Sequence, residues 1–343
     1  MKRRSFLKAA SAAGISVVGF KPMAALAANS NLRMGTWLPP THHLTSVAFP
    51  RWIDAIDKAS DGSLKIAIDP APIAPPPEQY NIVRDGAADL AYHVAAYTPG
   101  PFEVARGIEM PFLSPNAEVG SMAAFDWYER NIGFDAEFKD VKVLTIFVHG
   151  PGVLHSKEPI HTLEDLQNVK VRVGGGGVRI AEALGAAPVA MPASQAYEAL
   201  QKGVADAALF PWEAVKGFRL YELVNNHLEI PGGLYTTFFA VIMNRAKWDA
   251  LPDEHKQVLS EIGGVKGAQI LGKSWGDEAD AIGKQAAIDN GATISALEGA
   301  ELARWAEKVA FVEDDWVKLA NERGYDGAAL LTDLKATIEK YKS

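Results

Sequence analysis

The chain has 343 residues, 48% of them hydrophobic and 22% charged, which is long and apolar enough for two domains around a large core and excludes a disordered or fibrous protein. Its 42 acidic against 34 basic side chains leave a net charge of −8, a poor match for nucleic acid or an anionic membrane surface. It contains no cysteine, so disulfides, thiol catalysis and cysteine-held metals are all excluded.

Residues 1–28 are of another kind. Lys2, Arg3, Arg4 and Lys8 precede a run of small and apolar residues from Ala9 to Phe20, and Ala25-Leu26-Ala27 forms a small-x-small cleavage signal. The order Arg3-Arg4-Ser5-Phe6-Leu7-Lys8, ahead of a run diluted by serine and glycine, predicts a cleaved export signal of the twin-arginine type. A membrane anchor would need about 20 consecutive apolar residues, so no direct membrane insertion is expected. Cleavage removes five basic side chains and no acid, which leaves −13 on the mature chain.

In chain order, the patterning predicts a strand over 32–37, a helix over 45–59, a strand over 64–68, a helix over 78–84 and a strand over 89–93. The proline-rich stretch 70–77 interrupts this block. A helix over 116–138 follows, then the continuous apolar run 141–149 (VKVLTIFVH), which reads as a buried strand. A second block of the same βα character has strands over 153–155, 170–173, 189–191 and 205–210, a turn capped by Thr162, and helices over 178–184 and 194–202. One more buried strand over 238–243 precedes 252–289, which is almost entirely helix-forming and predicts a helix approaching 40 residues; the remainder reads as helical too.

The stretch 169–192, VKVRVGGGGVRIAEALGAAPVAMP, sets an arginine and four glycines between a strand and a helix. A dinucleotide fingerprint would need a third glycine where Arg179 stands, and no Lys-Ser or Lys-Thr pair completes a phosphate loop. What remains is Arg172, which period-two alternation turns away from Val171 and Val173. Its planar guanidinium suits a carboxylate, although a surface ion pair would use the same spacing.

VKVRV followed by EALGAAPVAMPASQAYEALQKGVADAA resembles the signature of the DctP-type substrate-binding proteins of tripartite ATP-independent periplasmic (TRAP) transporters. The similarity extends in order through IVRDGAADLAYH, the strand at 141–149 and NRAKWDALPDEHKQVL. It implies a two-lobed α/β periplasmic-binding-protein fold, class II-like, with a long helix spanning both lobes. It implies a periplasmic receptor that closes on an organic acid, grips its carboxylate through Arg172 and delivers it to integral membrane permease subunits. Departures from the family pattern carry information as well. No arginine occurs in Gly150-Pro151-Gly152, Phe210 stands where many members have asparagine, and Leu209 stands where metal-using members have glutamate. These turn the expectation from sugar acids and metal-bound ligands toward an apolar or aromatic monocarboxylate, such as a 2-oxo or 2-hydroxy acid, with neither cofactor nor metal.

Trp37, Phe210, Trp212 and Glu213 lie at turns after strands, where α/β folds place ligands, and Tyr92 and Tyr235 are added as cleft residues beside Arg172. His42, His93 and His149 are expected as hydrogen-bond donors in the cleft, because no His-x-x-x-His or similar spacing supports a metal site. The lobes are expected at 29–148 with 236–275, and at 149–235 with 276–343, hinged near residues 149 and 235. No nucleophile elbow occurs, so a secreted enzyme acting on a small carboxylic acid and a scaffold without ligand are the competing readings.

Overall fold

The computed structural model describes residues 29–98 and 100–342; the export signal expected at 1–28 lies outside the described residues. Strands β1 (Ser30–Gly35), β2 (Leu64–Ile68), β3 (Leu90–Val94), β4 (Val141–Val148), β5 (Val153–Ser156), β6 (Lys170–Val173), β7 (Ala187–Ala190), β8 (Ala207–Phe210), β9 (Asn226–Glu229), β10 (Phe238–Asn244) and β11 (Thr293–Ala296) form two sheets among the described residues. The first has the order β2-β1-β3-β10-β4 and the second β11-β9-β5-β8-β6-β7. β1 runs parallel to β2 and β3, β6 runs parallel to β7 and β8, and the returning strand β10 lies antiparallel between β3 and β4. This is the two-lobed α/β architecture.

The apolar runs explain which strands are central. β10 is buried at every position and β4 at all but Lys142, because helices cover both faces of the first sheet. On one face the helix Phe49–Ala59 buries Phe49, Trp52 and Ile56 in a cluster that includes Tyr92 and Phe147. On the other, the helix Ala117–Asn131 buries Trp127 and Tyr128 against Ile146 and Phe238. A separate cluster around Val171, Val173 and Leu209 holds the second sheet.

The chain crosses between the sheets at 149–152 and again at 230–237, and the two crossings bond to each other. Gly152 N–H donates to the Tyr235 carbonyl at 2.9 Å, and Thr236 Oγ1 donates to the His149 carbonyl at 2.6 Å. The expected 40-residue helix is divided at Gly263, whose ψ of −131° ends the helix Asp253–Ile262. A Cβ at Gly263 would collide with the Leu144 carbonyl of β4, so the break marks a close backbone approach. Beyond it, Gly264–Leu271, a π-helical segment Gly272–Asp277 and Glu278–Asp289 follow without interruption. The first part of this run packs on the helix Ala117–Asn131 and β4, and its last part on the short helix Glu213–Gly217, so one helical run spans both lobes.

The carboxyl-terminal region differs from expectation. Trp305 and Val309 of the helix Gly299–Val309 join the core of the second sheet. Trp316, Leu331, Leu334 and Ile338, from the helices Phe311–Glu322 and Gly327–Lys342, instead complete the core behind the first sheet. Trp127 Nε1 donates to the Leu330 carbonyl at 3.0 Å, and Arg130 donates to Thr337 Oγ1 at 2.8 Å. Residues 311–342 therefore belong with the first lobe, not with 276–310. An amphipathic helix advertises an apolar face in sequence but does not name the surface that covers it. β9 and β11 were not foreseen either; Asn226-His227-Leu228-Glu229 carries no apolar run, and its strand state comes from pairing with β5 and β11. No helix among the described residues is long and apolar enough to cross a membrane.

Candidate functional site

Residues at or just beyond the carboxyl ends of β1, β3, β6 and β8 line a cavity of about 280 Å³. Such strand ends are where open α/β sheets bind small molecules. Eight of the expected residues line it: Trp37 and His42 after β1, Tyr92 on β3, His149 and Tyr235 on the crossings, Arg172 on β6, and Phe210 and Glu213 at the end of β8.

Arg172 is 2% exposed. Val171 and Val173 enter the core of the second sheet and the pleat sends Arg172 to the opposite face, as the alternation requires. One terminal nitrogen donates to the Met191 carbonyl at 2.8 Å and approaches Tyr97 Oη at 3.4 Å, and the other meets the Leu209 carbonyl at 3.4 Å. The guanidinium carbon lies 4.0 Å from the centroid of the Phe210 ring, and Nε has no partner. No carboxylate pairs with Arg172 among the described residues. The other arginines that line the cavity are paired, Arg106 with Glu109 at 2.7 Å and Arg179 with Asp315 at 2.5 Å. A buried cation held only by carbonyls, a hydroxyl and a ring face lacks a counter-charge, and an unpaired charge out of water is costly.

Burial holds three titratable groups of the wall, His149, His42 and Glu213, toward their uncharged forms. His149 Nδ1 donates to the Gly150 carbonyl at 2.6 Å, which leaves Nε2 to accept from Thr237 Oγ1 at 3.0 Å, and burial lowers its pKa to about 4. Burial likewise lowers His42 to about 3 and pushes the Glu213 carboxyl up to about 8. His42 and Glu213 therefore form no ion pair at pH 7 although 3.4 Å separates them. Burial also raises the Tyr235 phenol, whose hydroxyl donates to the Leu209 carbonyl at 3.0 Å. The walls are aromatic. Trp37 stacks on Tyr92 at 5.5 Å and lies parallel to Phe218 at 6.5 Å, and Phe239 meets Trp275 edge-on at 5.1 Å.

Two expected residues are elsewhere. His93 follows Tyr92 on a strand, so when Tyr92 faces the cavity His93 must face the opposite side; its ring packs among Tyr80, Phe102 and Phe138. Trp212 turns behind the cavity wall, where Nε1 donates to Glu229 at 2.9 Å and the ring lies against His155 and His227. Tyr97, Phe218, Phe239 and Trp275 line the cavity without having been expected. Phe239 had a legible signal, since β10 had been read as a buried strand. Trp275 had none, because its exposure to the cavity follows from the π-helical turn that carries it. Among the described residues no cluster of three or more histidines or carboxylates is arranged to hold a metal ion.

The four glycines have a steric role. None of Gly174 to Gly177 has positive φ, so tight turning does not demand them. A Cβ on Gly175 would lie 2.5 Å from the Ala96 carbonyl in the first lobe, and one on Gly176 would strike Arg106. The loop is bare because the other lobe closes on it. Tyr97 also spans the gap, accepting the Ala193 N–H at 2.9 Å, and Arg179 pairs with Asp315 at 2.5 Å. Gly175→Ala should therefore obstruct closure at a cost of about 1–3 kcal/mol and weaken ligand binding roughly 5- to 150-fold, with little change in the unliganded Tm. Calorimetric affinities equal for variant and wild type would refute this steric role.

Comparison with known proteins places this geometry. Residues 34–318 match the family model described as bacterial extracellular solute-binding protein, family 7 (DctP). The TsaT protein of Comamonas testosteroni, described as an outer membrane transporter protein, is 26% identical over 324 residues, covering 94% of this chain and 95% of its own. A TRAP periplasmic solute-binding protein from Bordetella bronchiseptica, solved with (R)- and (S)-mandelate, superposes with a TM-score of 0.87 at 32% identity, over 91% of this chain and 99% of that one. A TRAP solute-binding protein from Rhodoferax ferrireducens with copurified benzoate gives 0.86 at 33% identity, over 92% and 99%. One from a marine metagenome, described as specific for aromatic acid ligands and solved with 3-hydroxybenzoate, gives 0.85 at 36% identity, over 92% and 100%. The chain, with its two closed lobes and its arginine-bearing cavity, belongs to the DctP family of TRAP transporter solute-binding proteins.

Proposed function

We propose that the protein is a periplasmic receptor for an aromatic monocarboxylate, which it binds between its lobes through Arg172 and hands in the closed form to the membrane permease subunits of a TRAP transporter. The observation that carries the reading is a buried arginine without an acidic partner in a cavity walled by Trp37, Tyr92, Phe210, Phe218 and Trp275. One available cation suits one carboxylate, since a second would be buried without a counter-charge. The rings suit a flat body, through burial at about 25 cal/mol per Å² and stacking of about 0.5–1.5 kcal/mol per pair. The aromatic acids bound by the structures at 32–36% identity support the same class. A 2-oxo or 2-hydroxy group beside the carboxylate would meet His149.

The rival is an enzyme, for which Thr237 hydrogen-bonded to His149 in the cavity wall is a suggestive contact. A thermal-shift panel of aryl monocarboxylates, branched 2-oxo acids, C4-dicarboxylates and sugar acids tests both. A receptor is stabilised by aryl monocarboxylates and returns them chemically unchanged. Stabilisation by dicarboxylates or sugar acids alone rejects the proposed ligand class, and a transformed ligand rejects the receptor.

A further inference from the structure

The ligand cavity shares a wall with a second space. A groove of about 610 Å³ lies outside it, with Pro39, Thr41, Ser194 and Lys216 along its exposed sides. Trp37, Glu213 and Phe218 line the groove and the cavity alike, so these three side chains stand between the two spaces.

The partition is a seam between the lobes. Trp37 and His42 come from the turn after β1, whereas Glu213, Gly217 and Phe218 come from the short helix after β8 and its end. Trp37 lies parallel to Phe218, Phe218 meets His42 at 5.1 Å, and Glu213 Oε2 stands 3.4 Å from His42 Nε2. Gly217 permits this approach, since a Cβ there would lie 2.8 Å from His42 Nε2. Because its two halves belong to different lobes, the wall is complete only when the lobes are closed.

The three shared residues are not equivalent. Trp37 is buried and stacks on Tyr92 within the core of the first lobe. Glu213 is buried too, and its N–H is tied to Asp280 Oδ1 at 2.7 Å. Phe218 ends its helix and is only partly buried. It is also the ring next in line from the anion grip: Arg172 lies over Phe210 at 4.0 Å, and Phe210 packs on Phe218 at 5.8 Å. An acid anchored at the guanidinium and lying along Phe210 therefore ends against Phe218.

We infer that Phe218 sets the length of ligand that the protein accepts, by closing the cavity where the groove would otherwise continue it. The inference rests on the preceding reading of an aryl monocarboxylate held by Arg172, and it narrows the ligand to compact, single-ring acids. The cavity, at about 280 Å³, is at the small end of ligand sites, which run from about 300 to 1,000 Å³. A packed wall does not admit further methylenes without displacing side chains, so a longer substituent would have to pass where the Phe218 ring stands.

Calorimetry on two graded series tests this: 3-alkoxy- and 4-alkoxybenzoates from methoxy to hexyloxy, with benzoate as parent, on wild type, Phe218→Leu and Phe218→Ala. In wild type the affinity should fall about 10- to 200-fold at the substituent length that meets the wall, the range that one methylene commands in an apolar site. In Phe218→Ala that step should vanish for at least one series, and each longer chain should then bind within about threefold of its shorter neighbour, since methylenes that emerge into the groove bury little more. Phe218→Leu should reduce the step without removing it. Loss of the ring's contact with Trp37 should weaken all acids alike, so lengths are compared within each protein, and the unliganded Tm checks the fold. Wild type that binds the hexyloxy acids as tightly as the methoxy acids overturns the inference and leaves the aryl-acid reading standing, and this comparison needs no variant. Variant series that fall in parallel with wild type overturn it as well, as does an alanine variant that merely postpones the fall by a few carbons, the mark of a larger but still closed cavity. If neither benzoate nor any alkoxybenzoate binds wild type, the aryl-acid reading and the inference fall together.

Discussion

Arg172→Ala is expected to abolish measurable high-affinity binding while leaving the unliganded protein folded. Removing one partner of a buried, hydrogen-bonded charge pair costs about 2–5 kcal/mol, which is roughly a 30- to several-thousand-fold loss of affinity. The unliganded fold should tolerate the change. Arg172 makes no ion pair among the described residues, and the Leu209 carbonyl that it approaches also accepts from Tyr235. Arg172→Lys should rescue little, because one ammonium cannot keep the Met191 carbonyl, lie over Phe210 and present a planar fork to a carboxylate. Titration calorimetry on an aryl acid that stabilises wild type is the check. An alanine variant within threefold of wild-type affinity would remove Arg172 from the site.

The second large effect is acid lability of the unliganded protein. Burial lowers His42 and His93 to about 3, and His149 and His227 to about 4, against about 6.5 in an unfolded chain. Above pH 6.5 neither state holds these protons and stability is full. As pH falls from 6.5 toward 4 the unfolded chain takes them up and the folded one does not, so stability is lost across that window. Each such group costs about 2 kcal/mol at pH 5. Glu213 acts with the opposite sign: its carboxyl, pushed up to about 8 by burial, is already protonated in the folded state, so acidification from pH 7 to 5 returns about 2–3 kcal/mol. Over these five groups the balance is a loss of about 5 kcal/mol, to which His155, also lowered by burial, adds and which Asp280, raised by burial, opposes. Thermal unfolding without ligand should show the Tm falling by on the order of 10 °C between pH 7 and pH 5. A Tm that stays level over that range would mean that these histidines are not held neutral by burial.

The site was partly legible in the sequence, and the limits have physical causes. Arg172 was legible because a charged residue between two valines in a strand must take the opposite face, and the buried strand β4 was legible because a sheet covered on both faces needs an unbroken apolar run. The pairing of Tyr92 with His93 was read wrongly for the same reason that Arg172 was read rightly. Neighbours on a strand cannot face one cavity, and parity alone does not say which of them does. Trp212 shows a similar limit at a turn, where one residue can direct its side chain behind the wall while Phe210 and Glu213 remain on it.

By itself the sequence determined the two βα-rich lobes, the strand that returns to the first sheet and the face of its strand to which Arg172 turns. All of these follow from local periodicity and from a long, specific motif. Only the tertiary structure decided that residues 311–342 complete the first lobe, that the predicted long helix divides at Gly263, and that the glycines after Arg172 are bare because Ala96 and Arg106 close against them. It also brought His42 and Trp37 of one lobe to Glu213 and Phe218 of the other, from positions some 170 residues apart. Local pattern fixes which face of an element is apolar, but the surface that covers that face, and the side chains that meet across a cleft, depend on packing between segments distant in the chain.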